Sequence, residues 1–339
     1  MSTTEARPVR LLLSAFAKQT WGERIVASVP GGTLEFITAE EAIAGPSACE
    51  ADIAFMTREV TGKSSKNSPT IELSNFEAVI RKSPNLRWLQ IHPAGAERPI
   101  YRELQARGVT VTTASGATAV TVAHSSLGAI IALNRLFPLL ADAQRRHAWE
   151  PRLGDRAPRD LKGQHALIVG LGPIGRNIAR LLKALGMIAI GVRRTADEVP
   201  ECDRTITFAT LHEFLPSTDW LILCCPASPL TRGLADARAF AAMPMGSHLI
   251  NVSRGEVAVE QDVIAALSSG RLAGAYLDVF EQEPLDQASP LWDLSNVIVS
   301  PHTASHSLGQ NEAIFEIFLD NLERWRHGRK LRNDITDLS

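Results

Sequence analysis

HALIVGLGPIGRNIARLLKALGMIAIGVRRT, running from His165 to Thr195, is the stretch whose pattern decides the fold. Ala166 to Val169 is an unbroken apolar run of the kind buried on both faces of a parallel sheet. Gly170-Leu171-Gly172-Pro173-Ile174-Gly175 follows as a full GxGxxG. Ile178, Leu181, Leu182 and Leu185 then recur at the spacing of one helix face. Gly186 stops that helix, and Met187 to Val192 is the next strand. Gly170 permits the tight turn, Gly172 lets backbone approach a pyrophosphate, and Gly175 lets helix and strand pack closely. The helix start then offers unpaired N–H groups and a positive dipole end to phosphates. Glycines alone would mark only a turn. Strand, glycines, helix and strand in this order mark a dinucleotide site.

Toward the N-terminus, strands alternate with helices. Val9 to Phe16, Thr33 to Thr38, Asp52 to Met56, Leu86 to His92 and Val109 to Thr112 read as strands. Trp21 to Ser28 and Ile100 to Arg107 read as helices, and Ser74-Asn75-Phe76-Glu77 as a capping box opening another. That alternation predicts a parallel α/β sheet, here without a glycine fingerprint. Ala117 to Ala148 is a long apolar helical segment interrupted by Pro138, and Pro151 to Pro158 is a loop. Beyond the glycines, Thr210-Leu211-His212-Glu213 is a second capping-box pattern. Trp220 to Cys225, His248 to Val252, Ala273 to Asp278 and Val297 to Ser300 read as strands, with a helix over Val259 to Leu267. Asn311 to Trp325 is an amphipathic helix that needs a surface to cover. The chain is therefore read as two α/β units. The second spans residues 115–302, and the first is discontinuous, 1–114 joined by 303–339.

Composition excludes several classes. The 339 residues are 45% hydrophobic and 21% charged with a net charge of −2, which fits two ordinary globular domains. Such a balance carries no electrostatic footprint for nucleic acid or an anionic membrane. No apolar run reaches membrane-spanning length, and the start, MSTTEARPVRLLLSAFAK, is too weakly apolar for a signal peptide. The four cysteines, Cys49, Cys202, Cys224 and Cys225, form no CxxC and point to a reduced, cytoplasmic setting. No metal-ligand spacing is present.

Three polar residues stand just beyond predicted strands, where ligands gather in open α/β sheets. They are Arg254 in Asn251-Val252-Ser253-Arg254-Gly255, Glu283 in Asp278-Val279-Phe280-Glu281-Gln282-Glu283-Pro284, and His302 in Ser300-Pro301-His302-Thr303-Ala304. A guanidinium holds a carboxylate by a planar two-point contact. Histidine donates a proton near neutral pH, and a neighbouring carboxylate favours its charged form. Together the three suit hydride transfer to a 2-keto acid. Singly, each has a plain structural reading: a rim charge, a loop residue, a hydrogen-bonded ring.

GLGPIG, NVSRG, LDVFEQEPL and SPHTA, in that order, resemble the D-isomer-specific 2-hydroxyacid dehydrogenases. The resemblance runs from LRWLQIHPAGAE through the terminal helix. It implies two Rossmann-like or flavodoxin-like domains with parallel sheets, a cleft between them, and a homodimer formed through the coenzyme domain and the long helix. It also implies roles. Arg254 would bind substrate, Glu283 would pair with His302, and His302 would be the acid–base. Asp278 would hydrogen-bond the nicotinamide carboxamide, Ala94 and Gly95 would offer N–H groups to the substrate carboxylate, and Cys225-Pro226 would line the cofactor groove. The pocket loop departs from the common pattern, reading Pro93-Ala94-Gly95-Ala96-Glu97. His92 at its edge is read as a packed strand-end histidine.

The second strand of the glycine unit carries the clearest departure. Relatives that use NAD usually place an acidic residue there for the ribose 2′-hydroxyl. Here the strand ends Arg193-Arg194-Thr195. A carboxylate would repel a 2′-phosphate, whereas these groups can bind one. A hydrogen bond to a charged group contributes about 1.5–3 kcal/mol, enough to reverse cofactor choice. The expectation is an NADP(H)-preferring reductase of small 2-keto acids such as glyoxylate or hydroxypyruvate, with NAD(H) as second cofactor. The rival is a nucleotide-sensing corepressor, since some chains similar to this family act that way. Turnover of keto acids separates the two.

Overall fold

The computed structural model describes residues 7–30, 34–44, 50–62, 69–96, 98–154 and 157–338. Thr33, Cys49 and Glu97 lie outside them. The chain divides into two compact units, Met1–Ala117 with Leu308–Ser339, and Thr118–Ser307.

In the first unit, β1 (Val9–Leu13), β2 (Leu34–Thr38), β3 (Ile53–Met56), β4 (Trp88–Ile91) and β5 (Thr110–Thr112) form a parallel sheet in the order β2-β1-β3-β4-β5. The connecting helices are α1 (Ala15–Ala27), α2 (Ala39–Ala44), α3 (Arg58–Thr61), α4 (Ile71–Lys82) and α5 (Pro99–Ala106). This strand order is the flavodoxin-like one. The terminal α12 (Gln310–Arg326) packs on one face of that sheet. Phe318 stacks on Phe55 with centroids 4.3 Å apart, and Phe315 on Trp21 at 4.7 Å. A buried relay adds polar ties: Trp88 Nε1 donates to Thr112 Oγ1 (2.8 Å), Thr112 Oγ1 to Gln90 (2.8 Å), and Asn321 Nδ2 to Gln90 (3.0 Å). Burying each such aromatic side chain contributes about 1.5–3 kcal/mol, which explains why an amphipathic tail stays docked.

The second unit opens with α6 (Ala119–Asn134) and α7 (Phe137–Arg145), followed by β6 (His165–Val169), α8 (Pro173–Ala184), β7 (Ile188–Arg193) and β8 (Arg204–Thr207). Then come α9 (Leu211–Phe214), β9 (Trp220–Leu223), α10 (Ala237–Ala242), β10 (Ser247–Asn251), α11 (Glu260–Ser268), β11 (Leu272–Leu277) and β12 (Val297–Val299). The seven strands are parallel, in the order β12-β11-β10-β9-β6-β7-β8, with an apolar core on each face. The chain proceeds outward from β6 through β7 to β8, then crosses back to β9 on the other side. That reversal opens a crevice at the carboxyl ends of β6 and β9, immediately beside the glycine turn.

Local chemistry moves several expected boundaries. The first strand stops at Leu13, not Phe16, because Ser14 accepts from Ala17 N–H and starts a helix six residues ahead of Trp21. Phe16 then points outward and is 44% exposed. Ser74 is not a cap. Thr70 caps α4 by accepting from Leu73 N–H, and the Ser74 hydroxyl donates back to the Thr70 carbonyl. Thr210 makes no capping bond either; its hydroxyl donates to Thr207 O. The long segment breaks at Leu136, in the left-handed region at φ 61°, and α6 and α7 are bent by 62°. Pro138 sits in the first turn of α7, where a missing N–H costs nothing. No single helix among the described residues is long and apolar enough to cross a membrane. The unit boundaries fall a few residues later than expected. Thr303 and Ala304 belong to the second unit because Asp278 accepts both of their N–H groups. Ser115 stays with the first because Asn333 donates to its carbonyl.

Candidate active site

The glycine turn is built by close contact. Gly170 has φ 104°, and a Cβ there would lie 2.8 Å from both the nitrogen and Cα of Cys225. A Cβ on Gly175 would lie 1.9 Å from the Gly170 carbonyl oxygen, so α8 can sit this near β6 only without a side chain. A Cβ on Gly172 would meet nothing within 4 Å. Gly172 precedes α8 as its N-cap, Pro173 fills the first turn, and no side chain caps the helix. Among the described residues no side chain is seen to accept from the first N–H groups of α8, an arrangement suited to an anion. The Cys225 thiol is buried and pushed up to about 11 by that burial. It stays a neutral wall rather than a nucleophile. Among the described residues no group of His, Cys, Asp and Glu is arranged to hold a metal ion.

At the end of β7, Arg193 is half-buried, and Arg194 and Thr195 are exposed. The Thr195 hydroxyl donates to Asp197 at 2.6 Å. Asp197 went unremarked in the sequence, since it lies past the strand end where acidic residues are usually sought.

Arg254, Glu283 and His302 are brought together by adjacent strands. β10 and β11 pair in register, Asn251 opposite Leu277, and β12 pairs next to β11. His302 Nδ1 lies 2.8 Å from Glu283 Oε2, and Phe280 N–H donates to the other Glu283 oxygen at 3.2 Å. His302 itself has φ 54°, a conformation that costs a non-glycine residue energy and is held here by the Asp278 carbonyl accepting its N–H at 2.9 Å. Arg254 donates to the Ser253 carbonyl at 2.8 Å, while Asn251 accepts from Ser253 and donates to the Arg254 carbonyl.

The electrostatics follow from this geometry. The hydrogen bond His302 donates to Glu283, and then the Glu283 charge, raise the His302 pKa above the ordinary histidine value despite partial burial and the opposing field of Arg254. Burial acts to raise the Glu283 pKa, but the bond and charge of His302, the Phe280 N–H and Arg254 together lower it. Glu283→Gln should therefore move a pH profile rather than only reduce a rate. Keto-acid reduction needs the imidazolium, so its falling alkaline limb should shift to lower pH. Hydroxy-acid oxidation needs the neutral ring, so its rising limb should shift the same way. Rate profiles in both directions check this; limbs that stay at the wild-type pH would uncouple Glu283 from His302.

Asp278 directly follows β11. It is buried, and its carboxylate accepts from Thr303 N–H (2.8 Å), Ala304 N–H (3.0 Å) and the Ser300 hydroxyl. Three donors converge on Oδ1, so the structure makes Asp278 the post on which the His302 loop is hung. Ser300, quoted only as part of a motif, is one of its partners. Backbone acceptors of this kind leave no residue-type signal in a sequence. In the first unit, Ala94 is exposed and Gly95 half-buried after β4. The His92 ring bonds Thr61 Oγ1 at 2.8 Å, and burial together with Arg58 and Arg98 pushes it down to about 4. It is a neutral, packed strand-end residue.

Comparison with known proteins gives four concordant matches. The family described as D-isomer specific 2-hydroxyacid dehydrogenase, NAD binding domain, matches residues 127–304. A glyoxylate/hydroxypyruvate reductase A of Arabidopsis thaliana is 30% identical over 258 residues, covering 76% of this chain and 80% of that one. The structure of a D-isomer specific 2-hydroxyacid dehydrogenase family protein from Aeromonas salmonicida is similar at TM-score 0.76 and 28% identity, over 97% of this chain and 99% of that one. A D-isomer specific 2-hydroxyacid dehydrogenase from Xanthobacter autotrophicus, in complex with NADPH and MES, is similar at TM-score 0.73 and 28% identity, over 97% and 98%.

Proposed function

The chain belongs to the D-isomer-specific 2-hydroxyacid dehydrogenases, and from that premise we propose that it reduces a small 2-keto acid, glyoxylate or hydroxypyruvate, with NADPH as preferred cofactor. The observation that carries this reading is the His302–Glu283 pair at 2.8 Å with Arg254 in electrostatic reach of both. Nδ1 of His302 faces Glu283, which leaves Nε2 to hold the proton for the keto oxygen. Arg254 supplies the two-pronged cation for the substrate carboxylate.

The residues around the glycine turn fit a dinucleotide. Gly172 stands in open space and the α8 N-terminus has no side-chain cap. Gly170, Gly172, Pro173, Ile174 and Gly175 would hold the pyrophosphate, and Cys225 and Pro226 would line the groove. The bound nicotinamide supplies the hydride, and the protein supplies orientation and the proton. Glyoxylate and hydroxypyruvate are assigned because a relative at 30% identity is named for both. The test is oxidation of NADPH and NADH in parallel with glyoxylate, hydroxypyruvate, pyruvate and phenylpyruvate. Absence of turnover with all four would end the proposal.

NADPH preference rests on Arg193, Arg194 and Thr195, and a similar protein is an NADPH complex. Arg193→Asp should turn preference toward NADH. The change removes an attractive partner for the 2′-phosphate and adds a repulsive one, and both act on the difference between cofactors. Because one charged hydrogen bond is worth about 1.5–3 kcal/mol, kcat/KM for NADPH should fall about tenfold to a hundredfold, more than the gain for NADH. Wild-type NADPH affinity should also weaken with added salt more than NADH affinity does. Steady-state kinetics with both cofactors at two ionic strengths read all of this. A wild type that already prefers NADH would reduce Arg193 and Arg194 to surface charges.

A further inference from the structure

Arg254 and Glu283 come from different crossovers, after β10 and after β11, and the paired strands end at Asn251 and Leu277. Past the last ladder bond, Asp278 N–H to the Asn251 carbonyl at 3.0 Å, no pairing among the described residues holds the two segments in register. Two other contacts do. A Cβ on Gly255 would lie 1.9 Å from Phe280 C, 2.0 Å from Phe280 O and 2.3 Å from Glu281 N, so the turn carrying Arg254 is pressed directly onto the peptide between Phe280 and Glu281. Beside it, Glu260 and Glu281 cap one another. Glu260 N–H donates to Glu281 Oε1 at 3.0 Å, and Glu281 N–H donates to Glu260 Oε2 at 3.2 Å. Glu260 is the first residue of α11, so the second contact ties the Glu283 loop to a helix start. The preceding residue, Phe280, is the one whose N–H fixes Glu283.

We propose that Gly255 and the reciprocal Glu260–Glu281 caps are positioning elements that lock the Arg254 turn to the Glu283 loop, so that the substrate-orienting cation and the acid–base pair keep one geometry. The three act through Arg254 and Glu283 and touch neither substrate nor cofactor. Two like-charged carboxylates stand side by side in this device, which is an electrostatic cost. Burial, and then the charge of Glu281, act to raise the Glu260 pKa, against the Glu281 N–H that lowers it. The pair is useful as acceptors rather than as charges.

The inference rests on the assignment of His302 and Glu283 as the acid–base pair, and its test is the pH dependence of kcat/KM for keto-acid reduction. The groups whose charges reach His302 are Glu283, Arg254 and Asp278. If the lock sets the Glu283–His302 distance, Gly255→Ala should move the alkaline limb to lower pH, although the atoms a Cβ there would meet first belong to Phe280 and Glu281. The shift should be smaller than that of Glu283→Gln, and kcat/KM should fall about tenfold to a hundredfold, the scale of a small misplacement at a reacting centre. Glu281→Ala should move the limb in the same direction. Glu281→Gln keeps an acceptor oxygen and removes the charge, so it should retain the wild-type limb. Should Gly255→Ala fail to fold, the two Glu281 variants decide the matter, since that side chain is exposed. A wild-type limb in Glu281→Ala, or in a folded Gly255→Ala, overturns the lock. So does equal behaviour of Glu281→Ala and Glu281→Gln, which would mean a charge effect. If Glu283→Gln itself leaves the limb in place, the acid–base assignment fails and the lock with it. If Glu283→Gln moves the limb and the others do not, only the lock is lost.

Discussion

Arg254→Lys is expected to lower kcat/KM for glyoxylate by about tenfold to a hundredfold, although the positive charge is kept. A guanidinium offers two parallel N–H donors in one plane to a carboxylate, whereas an ammonium is a point charge on a flexible stem. The lysine should therefore attract the substrate and fail to orient it. The retained charge gives the experiment a second readout. Arg254 acts on His302 through its field, lowering the His302 pKa. A lysine preserves that field, so the alkaline limb of reduction should stay in place while the rate falls. This is the reverse of Glu283→Gln, which moves the limb. Steady-state kinetics across pH, with thermal melting to establish folding, separate the two. Unchanged kcat/KM would remove Arg254 from the substrate site.

The second large effect belongs to Gly175→Ala. The new methyl would lie 1.9 Å from the Gly170 carbonyl oxygen and 3.1 Å from Cys224 Sγ. A Cβ has no rotamer, so no side-chain adjustment relieves the contact, and α8 must move away from β6. Overpacking of this kind costs about 1–3 kcal/mol of stability. The helix N-terminus proposed to hold the pyrophosphate would move as well, so cofactor affinity should drop along with the melting temperature. Gly172→Ala supplies the contrast, because a Cβ there meets nothing within 4 Å. It should melt as the wild type does yet bind NADPH more weakly, since the methyl would occupy the approach of the phosphates. Calorimetric melting and NADPH titration of both variants make the comparison. A Gly175→Ala protein with wild-type melting would refute the packing account, and a Gly172→Ala protein with wild-type NADPH affinity would refute the placement of the pyrophosphate.

The two sheets were legible because buried parallel strands are written as apolar runs, and Ala166 to Val169 or Trp220 to Leu223 admit few other readings. β8 was not, because Arg204-Thr205-Ile206-Thr207 is an edge strand with a single fully apolar member. Helix starts were misplaced wherever several hydroxyls competed. Thr70 and Ser74 both stand where a cap could form, and only the path of the backbone decides that Thr70 accepts and Ser74 donates. At the site, Arg254, Glu283 and His302 were visible as residue types behind strands. The partners of Asp278 were invisible, because backbone N–H groups belong to every sequence. Gly255 was hidden for the opposite reason: its importance lies in the side chain it lacks.

The first unit is assembled from both ends of the chain, and this has a bearing on how the protein is made. As the polypeptide leaves the ribosome, residues 118–307 emerge as one uninterrupted segment that already holds every element of its own sheet. The first unit, begun earlier, is completed later. Trp21, Phe55 and Trp88 await Phe315 and Phe318, which are translated only after the whole second unit. Until then one face of the five-stranded sheet is open and apolar, the condition under which nascent chains associate with one another or with chaperones. A premature stop just ahead of α12 would thus leave the nucleotide-binding segment intact and strip the other sheet of its cover, leaving a sticky, half-finished protein.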